Sequence, residues 1–75
     1  MQVYRDINGD SGVSSYEIGE DSIRVQFSSG SIYLYTDASA GAQHIANMKA
    51  LAARGDGLNA YINKHVRKRY ARKER

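Results

Sequence analysis

The chain has 75 residues, no cysteine, no proline and a formal net charge of +3. That length holds one small domain with an expected stability of about 3–5 kcal/mol, and no disulfide or thiolate metal site is there to staple it. No apolar run approaches the roughly 18 residues that span a bilayer, and Met1 to Asp6 carries no secretory pattern, so the expectation is a cytoplasmic domain without a membrane partner.

Residues 1 to 12 carry little pattern beyond Val3 and Ile7, and Asn8-Gly9-Asp10-Ser11-Gly12 reads as a turn cluster. Val13 to Glu17 has strand-like spacing, with Tyr16 and Ile18 two apart before Gly19-Glu20-Asp21 breaks the run. Ser22 to Ser28 is the clearest strand, because Ile23, Val25 and Phe27 alternate with Arg24 and Gln26. Ser28-Ser29-Gly30 then suits a three-residue turn whose glycine takes positive φ and forms a bulge. The next strand, Ser31 to Thr36, is rich in β-branched and aromatic residues.

The turn sets the register. With three loop residues, Phe27 opposes Ser31, Val25 opposes Tyr33 and Ile23 opposes Tyr35. Tyr33 and Tyr35 then share the core face with the aliphatic row, and Ile32 and Leu34 point the other way, where the N-terminal segment is the expected cover. Two helices follow. The first is expected from about Ala40 to Arg54, capped by Asp37 or Ser39 and closed by Gly55, with Ile45, Met48, Leu51 and Ala52 as its stripe. The second starts after Asp56-Gly57, with Leu58, Tyr61, Ile62, His65 and Val66 on one face. Strands followed by helices predict an α+β fold: a three-stranded antiparallel meander with two helices packed on one face. Ile23, Val25 and Phe27 should meet Ile45, Met48, Leu58, Ile62 and Val66 in its core.

Two segments resemble the KTSC domain family. Ser22-Ile23-Arg24-Val25-Gln26-Phe27-Ser28-Ser29-Gly30-Ser31-Ile32-Tyr33-Leu34-Tyr35 matches its strand, glycine turn and Tyr-x-Tyr motif. Gly57 to Tyr70 matches its closing element through Asn63, Arg67, Arg69 and Tyr70. The resemblance runs from about Ser11 to Tyr70 and implies a single KTSC-like domain, with residues 71–75 as a flexible basic tail. The family is named for a domain at the C-terminus of some lysyl-tRNA synthetases and also occurs as small stand-alone bacterial proteins; RNA binding is the role usually suggested for it. Many members enter the first helix through Val-Pro, where Thr36-Asp37-Ala38-Ser39 stands here.

The chemistry read from the residues points to binding. His44 and His65, each on a predicted helix, bring no cysteine or spaced carboxylate with them, so no zinc signature forms. His65, on the apolar stripe, reads as a packing residue and His44 as a half-exposed one. Glu17, Glu20 and Asp21 read as a solvated turn that protects a sheet edge. No catalytic residue, metal or cofactor is therefore expected. Charge is polarised: Met1 to Asp37 sums to −4 and Lys64 to Arg75 to +6. A solvated helix end accounts for such a run, and so does an anionic partner. In the second case Lys64, Arg67, Lys68, Arg69, Arg72 and Lys73 meet phosphates, and Tyr70 stacks on unpaired bases. Tyr33 and Tyr35 are either core residues or a stacking platform. The functional expectation is weak, sequence-independent binding of RNA or another nucleic acid through a basic C-terminal helix. The alternative is an accessory module that binds a protein partner.

Overall fold

The structure is a computed structural model that describes residues 1–7 and 12–75. The turn expected over Asn8 to Gly12 lies, except for Gly12, outside the described residues. The elements run β1 (Gln2–Val3), β2 (Val13–Ile18), β3 (Ser22–Phe27), β4 (Ile32–Thr36), α1 (Asp37–Ala40), α2 (Ala42–Arg54), α3 (Leu58–Tyr61) with a π-helical turn over Ile62–Val66, and β5 (Arg72–Lys73). The fold is α+β with an antiparallel sheet, but among the described residues the sheet has five strands in the order β1-β2-β3-β4-β5, and not the expected three. The two additional strands are two-residue edges, too short to carry an alternation that a sequence could display.

The central hairpin has the expected register: Ile23 pairs with Tyr35 and Val25 with Tyr33. Gly30 takes φ +96°, and the Phe27 N–H donates to the Ser31 carbonyl at 2.8 Å. Ile23, Val25 and Tyr35 are buried on the face that meets Ile45, Met48, Ala52, Leu58, Ile62 and Val66. Phe27 departs from expectation. At the end of its strand it is only partly buried, its ring edge-on to Tyr33 at 5.7 Å. The core instead extends through Val13 and Tyr16 to Tyr4, whose hydroxyl accepts the Leu58 N–H at 3.1 Å.

The helical half departs from expectation in two places. The first helix is split, because Gly41 at φ 104° and ψ 137° is not helical. Thr36, and not Asp37 or Ser39, caps the first piece: its hydroxyl accepts from the Ser39 N–H while the Ser39 hydroxyl accepts from the Thr36 N–H. The second helix widens at Ile62–Val66. In such a turn residues i and i+4 stay aligned while i+3 swings away. Leu58, Ile62 and Val66 are therefore buried in line, and His65, expected in the packed stripe, is exposed.

The face of the sheet opposite the helices carries Arg24 beside Leu34, and Leu34 beside Arg72. Ile32 and Leu34 are half-buried there. Their cover is not the N-terminal segment, because β1 lies at the far edge, beside β2. Arg24 reaches over β4 to Glu74 beyond β5, so its side chain crosses the row that Ile32 and Leu34 occupy.

Candidate nucleic-acid interface

The helix closing the fold does not continue through the basic run. It ends at about Val66, the chain turns, and β5 returns antiparallel to β4, with the Ala71 N–H donating to the Leu34 carbonyl at 2.7 Å. Residues 71–75, expected as a free tail, are thus hydrogen-bonded to the sheet, and the basic residues are split between two surfaces. Because successive strand residues alternate faces, Lys73 shares the helix-side face with Tyr33 and Arg72 the opposite face with Leu34. The Lys73 ammonium lies 5.8 Å from the centroid of the Tyr33 ring, within cation–π reach. Arg72 instead hydrogen-bonds Glu74 at 3.0 Å.

The turn after the π-helical segment places Tyr70 against the hairpin. Its ring is 4.8 Å from Tyr33 and 6.4 Å from Tyr35, in both cases edge to face. Between this aromatic cluster and the helix end lies a cleft of about 480 Å³. Phe27, Tyr33, Tyr35 and Tyr70 form its aromatic wall, and Asn63, Arg67 and Lys68 its polar and basic rim. The hairpin turn closes one end through Ser28, Ser29 and Ser31.

Tyr35 is core, only 1% exposed, and borders the cleft without offering it accessible surface. Burial pushes its hydroxyl up to about 12, with Tyr33 and Tyr70 adding to the effect, so it keeps its proton to higher pH than an exposed tyrosine does. Tyr33 is half-buried and serves both core and cleft, while Tyr70 is 38% exposed and presents the most accessible ring. Of the candidate cations, Arg67 and Lys68 stand at the rim, and Lys73 lies over the Tyr33 ring without lining the cleft. Lys64 and Arg69 are exposed without lining the cleft, and Arg72 is on the other side of the sheet.

Phe27, Asn63 and the hairpin serines line the cleft but were not among the binding residues expected from the sequence. Strand periodicity marks Phe27 as a core residue, and its place at the strand end, where cover runs out, is the signal that it borders a cleft. Nothing local to Ser28–Ser31 says that the helix end packs nearby, because that proximity is tertiary.

A second polar cluster joins the helices. The Asn47 amide donates to the Tyr61 hydroxyl at 3.0 Å, and His44 Nδ1 lies 2.6 Å from the same oxygen. The exposed His65 ring lies over Tyr61 at 4.4 Å. Among the described residues no three His, Cys, Asp or Glu side chains gather where they could hold a metal ion, and no helix is long and apolar enough to cross a membrane.

Comparison of the chain with protein-family models, with curated proteins and with solved structures found no match.

Proposed function

We propose that the chain is a non-catalytic binding domain that takes single-stranded nucleic acid, RNA foremost, in this cleft, weakly and with little regard to sequence. One observation carries the reading: the aromatic wall of Tyr33 and Tyr70 and the cations Arg67 and Lys68 line the same cleft. Cations that meet phosphates beside rings that stack on bases are the two parts of a sequence-tolerant single-strand site. A duplex offers no free base face, and such phosphate contacts alone give dissociation constants of roughly 10⁻⁴ to 10⁻⁶ M at physiological salt. The two segments that resemble the KTSC family lend support, because both line the cleft: Tyr33 and Tyr35 from one, Asn63, Arg67, Lys68 and Tyr70 from the other.

The test is a titration of the isotope-labelled domain with short single-stranded and duplex RNA at two salt concentrations, followed by NMR. Shifts should concentrate at Tyr33, Asn63, Arg67, Lys68 and Tyr70, with the single strand binding more tightly. Changing Arg67 and Lys68 together to Gln should weaken binding to every sequence and flatten the log–log salt slope by about 1.4, or 0.7 per phosphate contact. Adding Arg69→Gln should change little further, since Arg69 does not line the cleft. An unaltered affinity and salt slope in the folded double variant refutes the reading.

A protein partner is the second reading, and the exposed edge at β1 favours it. Met1, Val3 and Ile18 are 52%, 69% and 46% exposed around that edge, where a further strand can add. Under that reading the shifts with a binding partner fall on β1 and β2, away from the cleft.

A further inference from the structure

We propose that the ion pair between Arg24 and Glu74, on the sheet face away from the cleft, positions Tyr70 in the cleft wall by clasping β5 to the sheet. The consequence for ligand affinity rests on the nucleic-acid reading above, but the positioning itself does not.

Strand β5 has little else to hold it. It is two residues long, at an edge, and no residue from Arg67 to Arg75 is buried, so it has no apolar anchor of its own beyond the Tyr70 ring. Beside the two ladder pairs, Tyr33 with Lys73 and Leu34 with Arg72, its backbone bonds join Ala71 to Leu34, Glu74 to Ile32 at 2.7 Å, and Ile32 and Arg75 to each other at 3.1 and 3.2 Å. These are exposed edge bonds that water competes for. The segment also carries a dense positive charge that favours its departure. Glu74 is the single acid between Lys64 and Arg75, and it stands where it can hold the strand down.

The geometry of the clasp is specific. Arg24 Nε and Nη2 both donate to the Glu74 carboxylate, a two-pronged arrangement that Arg makes and Lys cannot. Arg24 is braced from β2 by Glu17, whose carboxylate accepts from Nη1 at 2.9 Å. Arg72 adds a hydrogen bond to Glu74 at 3.0 Å. The Glu74 side chain is 20% exposed and Arg24 31%, so the pair is partly shielded from water. The clasp spans β3 to β5 over the intervening β4, and the strand it fastens leads directly back to Tyr70.

Glu74→Gln in the full chain separates this role from a general one. Amide exchange at Ala71 should rise about two- to fivefold, the range open to a partly exposed ion pair, while exchange at Val25 stays unchanged. Proton–proton contacts between the Tyr70 and Tyr33 rings should weaken. Arg24→Met should do the same, and Arg54→Met, which removes the pair with Asp56, should not. Unchanged exchange at Ala71 and unchanged ring contacts in both clasp variants overturn the proposal.

Binding adds a readout whose sign is diagnostic. Glu74→Gln makes the chain more positive, so charge alone predicts tighter binding of an eight-nucleotide single-stranded RNA. Loss of Tyr70 from the cleft predicts binding weaker by about the same two- to fivefold. In a Tyr70→Ala background the Glu74→Gln loss should vanish; a loss of equal size there overturns the route through Tyr70. If the unaltered chain does not bind the RNA at all, the nucleic-acid reading fails and the exchange data alone decide the clasp.

Discussion

Replacing Gly55 with alanine tests how firmly the N-terminal segment is seated. Gly55 ends α2 in the left-handed conformation, φ 78° and ψ 27°, and its N–H donates to the Leu51 and Ala52 carbonyls. A side chain there costs about 1–2 kcal/mol in conformational strain alone. The added Cβ would also lie 2.7 Å from the Arg5 Cβ and 3.5 Å from its backbone, with no flexible tip to swing aside. Relief requires the segment to lift, yet the Ile7 N–H donates to the Gly55 carbonyl at 2.8 Å and the Arg5 guanidinium to the Ala53 carbonyl at 2.9 Å. Overpacking of this kind adds about 1–3 kcal/mol. The expected total of about 2–5 kcal/mol approaches the entire stability of a domain this size, about 3–5 kcal/mol. Gly30→Ala is the control, because Gly30 also has positive φ but a Cβ there meets nothing within 4 Å. Urea denaturation should show Gly30→Ala losing only the strain, about 1–2 kcal/mol. Arg5→Gly, which removes the opposing atom, should recover most of the overpacking loss when combined with Gly55→Ala. Equal losses at the two glycines, or no recovery in the double variant, would refute a rigid seat for the segment.

Ile23→Ala should destabilise by about 2–5 kcal/mol in the same assay, since Ile23 is fully buried. Phe27→Ala should lose only about 1.5–2.5 kcal/mol, roughly half the cost of truncating a fully buried phenylalanine, and a loss of the full size would contradict its place at the rim. Stability should fall as pH rises from 10 towards 12, because the folded Tyr35 hydroxyl holds its proton to about 12 and the unfolded one releases it near 10.0. The full difference corresponds to about 2.7 kcal/mol, reduced to about 1–2 kcal/mol by solvent in the adjoining cleft, and Tyr35→Phe should remove that alkaline limb. At the acid end, hydrogen bonds from Arg24 and then Arg72 hold the Glu74 carboxyl below its usual 4.5. The clasp is therefore complete above pH 4.5 and is lost as pH falls through the lower folded value, which amide exchange at Ala71 should report.

The central hairpin was legible because its determinants are local. Ile23, Val25, Tyr33 and Tyr35 alternate on either side of a turn whose glycine fixes the register, so no distant contact was needed to place the two tyrosines inward. Tyr4 was illegible for the opposite reason. It follows Val3 in a segment with no helical or strand periodicity, and its burial depends on a helix that begins at Leu58, whose N–H its hydroxyl accepts. The split at Gly41 and the outward turn of His65 are likewise decided by packing, since both segments keep a helical pattern straight through the irregularity. The basic run misled most. Lys64 to Arg75 reads as a continuous charged helix end, but Leu58, Ile62 and Val66 are its last buried positions, and beyond them no apolar stripe holds a helix to the core.

What the chain does after Val66 follows from that exhaustion of apolar contacts. A further helical turn would bury nothing, whereas β4 offers an unpaired edge and Tyr33 and Tyr35 offer an incompletely covered aromatic surface. Returning along β4 satisfies the edge at Ile32 and Leu34, covers the tyrosines with Tyr70, and brings Glu74 within reach of Arg24. The same return leaves Arg67 and Lys68 at the turn, facing the aromatic wall that the strand has just completed. The cleft is thus a by-product of how the fold finishes. Its lining comes from segments some thirty residues apart, joined by a strand of two residues whose only signature in the sequence is one glutamate among seven basic residues.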